Sequence, residues 1–147
     1  MKTPGKIEVY LYFDGNCEDA LRFYEEVLGG EITYMQKWKD LPTDDTESMD
    51  EMPDINPEDI MHANLKIGDV NLMASDNPYR NTSFGDSITL NWSHADASEV
   101  KRVWDELAQD GEINMPLEAT FFAPLFGQLT DKFSINWQIM QWDEEVS

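Results

Sequence analysis

Phe23-Tyr24-Glu25-Glu26-Val27-Leu28-Gly29-Gly30-Glu31-Ile32 is answered in the second half of the chain by Val103-Trp104-Asp105-Glu106-Leu107-Ala108-Gln109-Asp110-Gly111-Glu112-Ile113. In both copies an apolar stripe leads to a glycine-bearing exit and then to Glu-Ile, the pattern of an amphipathic helix handing over to a strand. Ala20, Leu21, Phe23, Tyr24, Val27 and Leu28 make the first stripe, with Asn16 placed to cap its start and Gly29-Gly30 to end it. Val100, Val103, Trp104 and Leu107 make the second, where Asp96 followed by Glu99 resembles a capping box. The spacing predicts helices over 17–28 and 98–109, and the echo predicts two copies of one βαβββ unit.

Around the first helix, 7–13, 31–38, 60–67 and 70–74 read as strands, with Gly68-Asp69 as the tight turn between the last two. Around the second, 87–92, 113–117, 120–122 and 133–142 read as strands. The expected fold class is therefore α+β. One domain over 1–147 holds two βαβββ modules, 7–75 and 87–142, forming a curved mixed sheet with its helices outside.

Strand alternation then sorts the side chains. Val9, Leu11, Phe13, Ile88, Leu90 and Trp92 face the helices, as do Ala63, Leu65, Ile67, Val70, Leu72 and Ala74. Tyr10, Tyr12, Ser87, Thr89 and Asn91 face away, together with His62, Asn64, Lys66, Asn71, Met73 and Ser75. In the closing stretch, Phe133, Ile135, Trp137 and Ile139 fall on the core side and Ser134, Asn136, Gln138 and Met140 on the other. The result is a semi-polar trough. Tyr10, Tyr12, Met73, Thr89, Asn91, Asn136 and Gln138 are its candidate ligand-binding residues, suited to a flat or partly apolar organic molecule held by a few hydrogen bonds. Trp92, Trp104 and Trp137 belong to the core, and Trp38 borders the trough.

Composition narrows the function classes. The chain has 147 residues, 41% of them apolar, enough for a real interior. Its formal charge of -20, from 30 acidic residues against 10 Lys and Arg, repels phosphate backbones and argues against nucleic acid as a partner. No apolar run is long enough to span a bilayer, and the first six residues lack the apolar stretch of a signal peptide, so a cytoplasmic protein is expected. Cys17 stands alone, which excludes an internal disulfide. Nine acids lie between Asp40 and Asp59 without a Lys or Arg, in a segment with Pro42, Pro53 and Pro57 that reads as a solvated loop or a lid.

Tyr10-Leu11-Tyr12-Phe13-Asp14-Gly15-Asn16-Cys17-Glu18-Asp19-Ala20, Phe23-Tyr24, Val27-Leu28-Gly29-Gly30, His62 through Asp69, Leu72 through Asp76 and Phe126 through Phe133 together resemble the glyoxalase/bleomycin-resistance, or vicinal oxygen chelate, superfamily. Within it they resemble the PhnB-like branch, labelled 3-demethylubiquinone methyltransferase-like. The resemblance implies the duplicated fold and a homodimer. In metal-dependent members it implies four His or Glu ligands on the first and last strand of each module, which fall here near Glu8, Met73, Ser87 and Gln138. Only Glu8 is a strong ligand for a divalent ion, so no metal and no other cofactor is expected. The leading expectation is a small-molecule-binding protein. The alternatives are a lyase, isomerase or dioxygenase-type enzyme, with or without metal, and sequestration of a cationic antibiotic of the bleomycin type. The methyltransferase label finds no glycine-rich loop for a methyl-donor nucleotide.

Other chemistry-bearing residues read more plainly. His62 faces the trough, where a hydrogen-bonded structural role competes with that of a general base, and His94 reads as loop. Cys17 falls in the first helical turn, where the helix dipole lowers a thiol pKa, against the alternative of packing beneath the helix. Asp44-Asp45-Thr46-Glu47 with Asp50-Glu51 lacks the spacing and glycine of a calcium loop.

Overall fold

The computed structural model describes residues 3–41 and 55–142, arranged in two compact units, Met1–Thr82 and Ser83–Ser147. The first unit runs β1 (Val9–Phe13), α1 (Cys17–Leu28), β2 (Glu31–Lys37), β3 (Ile60–Ile67) and β4 (Val70–Asp76), with strand order β1-β4-β3-β2. The second repeats it as β5 (Leu90–His94), α2 (Ala97–Ala108), β6 (Glu112–Glu118), β7 (Leu125–Thr130) and β8 (Asn136–Gln141), in the order β5-β8-β7-β6. In each unit the first and last strands pair parallel and the others antiparallel. The expected pair of βαβββ units is present.

Each sheet has one buried face. Phe13, Ala63, Leu65, Leu72 and Ala74 close against Ala20, Leu21, Tyr24 and Val27 of α1. Leu129, Trp137 and Ile139 close against Val100, Val103, Trp104 and Leu107 of α2, while Phe126, paired with Met140 on the other face, packs edge-on against Phe122. Apart from Leu129, whose strand the periodicity does not mark, these are the residues that the helical and strand periodicities select, and burying large apolar side chains stabilises by roughly 1.5–3 kcal/mol each. Trp92 is only half-buried, with its ring stacked on His94.

Gly29 ends α1 in the left-handed region, at φ 75°, and its N–H donates to the Glu25 carbonyl. At the other end Asn16 makes no side-chain cap. The N–H groups of Gly15 and Cys17 instead donate to Oδ1 of Asp76, each at 2.9 Å, while Oδ2 accepts from Ile60 N–H. A carboxylate from the last residue of β4 thus closes the helix start and ties in β3. Asp96 caps α2 as expected, accepting from Ser98 N–H. Its capping box is half made, because Glu99 pairs with Arg102 and the Asp96 N–H donates to His94 Nδ1.

Several expectations need correction. β1 begins at Val9 and β5 at Leu90, so Ile7 and Ile88 are 98% and 76% exposed rather than packed, and Ser87 precedes the sheet. Val70, expected on the helix side, is also exposed. His94 is not loop but the last residue of β5. The 120–122 stretch is a turn: Thr120 N–H donates to the Ala123 carbonyl and Phe121 is fully exposed. The strand of that region is β7, which carries Gly127 because a Cβ there would stand 2.7 Å from the Trp104 ring. The closing strand starts at Asn136 rather than Phe133. Before it, Asp131 holds a turn by accepting from the N–H groups of Phe133 and Ile135 and from Trp137 Nε1, with Ser134 at φ 73°.

The acidic segment is not uniformly solvated. Asp59 is buried and takes a bidentate ion pair from Arg80, at 2.6 and 2.7 Å, while Glu58 pairs with Lys37 and Lys39. Its remaining acids from Asp44 to Asp54, the lid reading and the weak calcium motif lie outside the described residues.

Candidate functional site

The face of each sheet turned away from its helix carries the polar and aromatic side chains. In the first unit the register sets Tyr10 opposite Met73, Met73 opposite Asn64 and Asn64 opposite Tyr34. Tyr12 pairs with Ser75 one row along. The Tyr10 and Tyr12 rings lie 4.9 Å apart, and His62 sits 5.7 Å from Tyr10 and 6.0 Å from Tyr34. The first three predicted residues, Tyr10, Tyr12 and Met73, are thus brought together, and Tyr34 joins them. A bulge between Ile32 and Tyr34 hides Tyr34 from a simple alternation count.

Hydrogen bonding fixes the roles on this face. Asn64 presents Oδ1, which only accepts, so His62 Nε2–H donates to it at 2.9 Å. Nδ1 is then left to accept the Tyr10 hydroxyl proton at 3.3 Å. Partial burial raises the Tyr10 phenol above its ordinary pKa. Cys17 is no nucleophile: it is fully buried, and burial with the neighbouring Asp76 carboxylate pushes its thiol far up, against the pull of the helix dipole. Burial also raises Asp76, although three N–H groups donate to it.

In the second unit Asn91 pairs with Gln138 and Gln138 with Gln128. Asn91 Nδ2 donates to Gln138 Oε1 at 3.2 Å. Further along the same face a cavity of about 520 Å³ is lined by Thr89 and Asn136, with Asp86, Glu112, Asn114 and Gln128 around them. Asn136 pins one wall by donating to the Gly85 and Ile88 carbonyls, and Thr130 donates to Asn136 Oδ1 at 2.8 Å. Of the four predicted residues in this unit, Thr89 and Asn136 line the cavity and Asn91 and Gln138 lie outside its lining. Asp86, Glu112 and Asn114 were missed because they sit on the 84–89 connection and an edge strand, where charge reads as ordinary solvated surface.

The metal positions fail a test of donor chemistry. Glu8 precedes β1, and a 3.0 Å hydrogen bond from Asn71 holds its carboxyl below the usual range. Ser87 lies three residues before β5, so it is not the counterpart of Glu8. The register makes Tyr10 with Met73 and Asn91 with Gln138 the matching strand positions: a phenol, a thioether and two amides. Such donors do not hold a divalent ion of the family type. Among the described residues no group of three or more His, Cys, Asp or Glu could hold a metal.

Comparison with known proteins identifies the family of the chain. The family described as 3-demethylubiquinone-9 3-methyltransferase matches residues 5–140. Protein YjdN of Escherichia coli (strain K12) is 35% identical over 133 residues, covering 88% of this chain and 90% of its own. The PhnB protein of Bacillus cereus superposes with a TM-score of 0.79 at 27% identity, over 93% of this chain and 99% of that one. A glyoxylase/bleomycin resistance protein/dioxygenase domain from Frankia sp. EAN1pec, 14% identical, gives 0.64 over 97% and 95%, a likeness of fold.

Proposed function

We propose that this chain, which belongs to the 3-demethylubiquinone-9 3-methyltransferase family and has the glyoxalase/bleomycin-resistance fold, is a binding protein for a small organic molecule. It holds that molecule on the open face of the second unit, at the cavity that Thr89 and Asn136 line and Asn91 and Gln138 adjoin, without a resident metal; the open face of the first unit, with Tyr10, Tyr12 and Met73, is a separate candidate surface. The observation that carries this reading is the 520 Å³ cavity at Thr89 and Asn136, within the range of about 300–1,000 Å³ usual for small-molecule sites. Its walls are braced by their own hydrogen bonds, so little ordering is needed on binding.

Methyl transfer from a nucleotide donor finds no support. The turn into α1 carries one glycine, Gly15, rather than a glycine-rich loop, and its N–H with that of Cys17 is taken by the Asp76 carboxylate.

A second reading, an enzyme of the lyase or isomerase type, is favoured by the chain Tyr10–His62–Asn64. There a phenol is backed by an imidazole whose free lone pair can take its proton.

The test is an NMR screen of the isotope-labelled chain against small organic compounds. A compound that shifts the amides of Thr89 and Asn136 is expected, bound with one-to-one stoichiometry and unaffected by a chelator. Gln128→Ala, in the lining of the cavity, should weaken it without lowering the melting temperature. Shifts confined to the helices, or affinity indifferent to Gln128→Ala, would contradict the placement, and turnover of any compound of the screen that stops in Tyr10→Phe would establish the second reading.

A further inference from the structure

We infer that the cavity of the second unit is built for a small organic ammonium compound bearing hydroxyl groups, of the amino-sugar or amino-alcohol class. This names the ligand of the site proposed above and rests on that reading.

The lining carries two carboxylates, Asp86 and Glu112, and no Lys, Arg or His. Neither carboxylate has an ion pair or hydrogen-bond partner among the described residues. The side-chain donors of the wall are largely consumed within it. Asn136 Nδ2 is held by Gly85 and Ile88, Asn114 Nδ2 donates to Thr130 Oγ1 at 3.0 Å, and Thr130 passes its own proton to Asn136. What remains facing the cavity is dominated by acceptors: four carboxylate oxygens and the Asn114 carbonyl, with the Gln128 amide offering both an acceptor and a donor and the Thr89 and Ser134 hydroxyls able to act either way.

A ligand complementary to that surface must donate and must be positive. An anion would meet two uncompensated negative charges in a chain of formal charge -20, and a neutral acceptor would meet the Gln128 amide but leave both carboxylates unpaired. A bare divalent ion matches the sign but not the space, since 520 Å³ far exceeds an ion with its ligand shell. An ammonium group with neighbouring hydroxyls fits both. Rigidity favours it too: Asp131 fixes the 131–135 turn, and Asn136 ties that side to the 84–89 connection.

The experiment is a calorimetric and NMR titration of the full chain with matched pairs, glucosamine, galactosamine and serinol each against its N-acetyl form. Acetylation keeps the hydroxyls and removes the charge. Amines are expected to shift the amides of Thr89, Glu112 and Asn136 and to bind at least about tenfold more tightly than their acetylated partners, with affinity falling as salt rises. Glu112→Gln and Asp86→Asn, both at exposed positions, should each reduce that preference several-fold at unchanged melting temperature. Equal binding of amines and acetylated partners at those amides would overturn the ammonium class while leaving the binding reading in place. If no amine of the panel moves them, the ammonium class also falls. Failure of every compound in the wider screen to move Thr89 or Asn136 sinks both.

Discussion

Tyr10 is the residue through which the open face of the first unit is most sensitive to pH. Burial raises its pKa, so the folded state favours the neutral phenol. Its contribution to stability is whole below the ordinary tyrosine value of about 10 and is lost as pH rises through the higher folded value. In an absorbance titration of phenolate formation, the component missing from Tyr10→Phe should lie above the other exposed tyrosines. A Tyr10 component at or below the ordinary tyrosine value would show that the phenol is not desolvated on this face. The sequence made Tyr10 and His62 legible as face residues, because period-2 alternation in β1 and β3 is unbroken. It could not make their hydrogen bond legible, since the two belong to non-adjacent strands whose register depends on pairing through β4. Asp76 is the sharper case. It reads as the polar end of a strand, yet it closes a helix start far back along the chain, and no local pattern announces a cap that arrives from elsewhere.

At the level of elements, the helices were the most readable and the edges of the second sheet the least. Both stripes predict their helices to within a residue at each end, because a buried face must repeat every three to four positions. β7 broke that logic. Gly127 stands where a packed side chain is expected, and the strand pattern passes instead to the fully exposed Phe121 and its neighbours. The physical reason is the Trp104 ring, which occupies the volume that any Cβ at position 127 would need, with the Leu117 backbone at 3.0 Å behind it. Gly127→Ala is accordingly expected to destabilise the chain by about 1–3 kcal/mol through overpacking, read as a lowered denaturant midpoint at unchanged slope. An unchanged midpoint would mean that α2 does not rest on β7 in this way. The cavity residues Asp86, Glu112 and Asn114 follow the same lesson: connections and edge strands carry charge by default, so only the folded arrangement shows that these groups share one hollow.

At the scale of the whole molecule, fold and function separate. Duplication, helix positions and buried faces follow from periodicity, and the fold, shared with a glyoxylase/bleomycin resistance protein/dioxygenase domain, leaves the chemistry to the side chains at the paired inner strand positions. In this chain those positions carry a phenol, a thioether and amides, which suit an organic ligand better than an ion. The strongly negative charge still attracts cations loosely, so the discriminating quantity is stoichiometry that survives exchange into dilute buffer. Native mass spectrometry of the chain purified without chelator reads this directly. The expected spectrum shows the bare chain, alone or carrying an organic adduct, with no transition metal retained at one per chain. A single zinc, nickel, iron or manganese ion held at full occupancy after exchange would contradict the account.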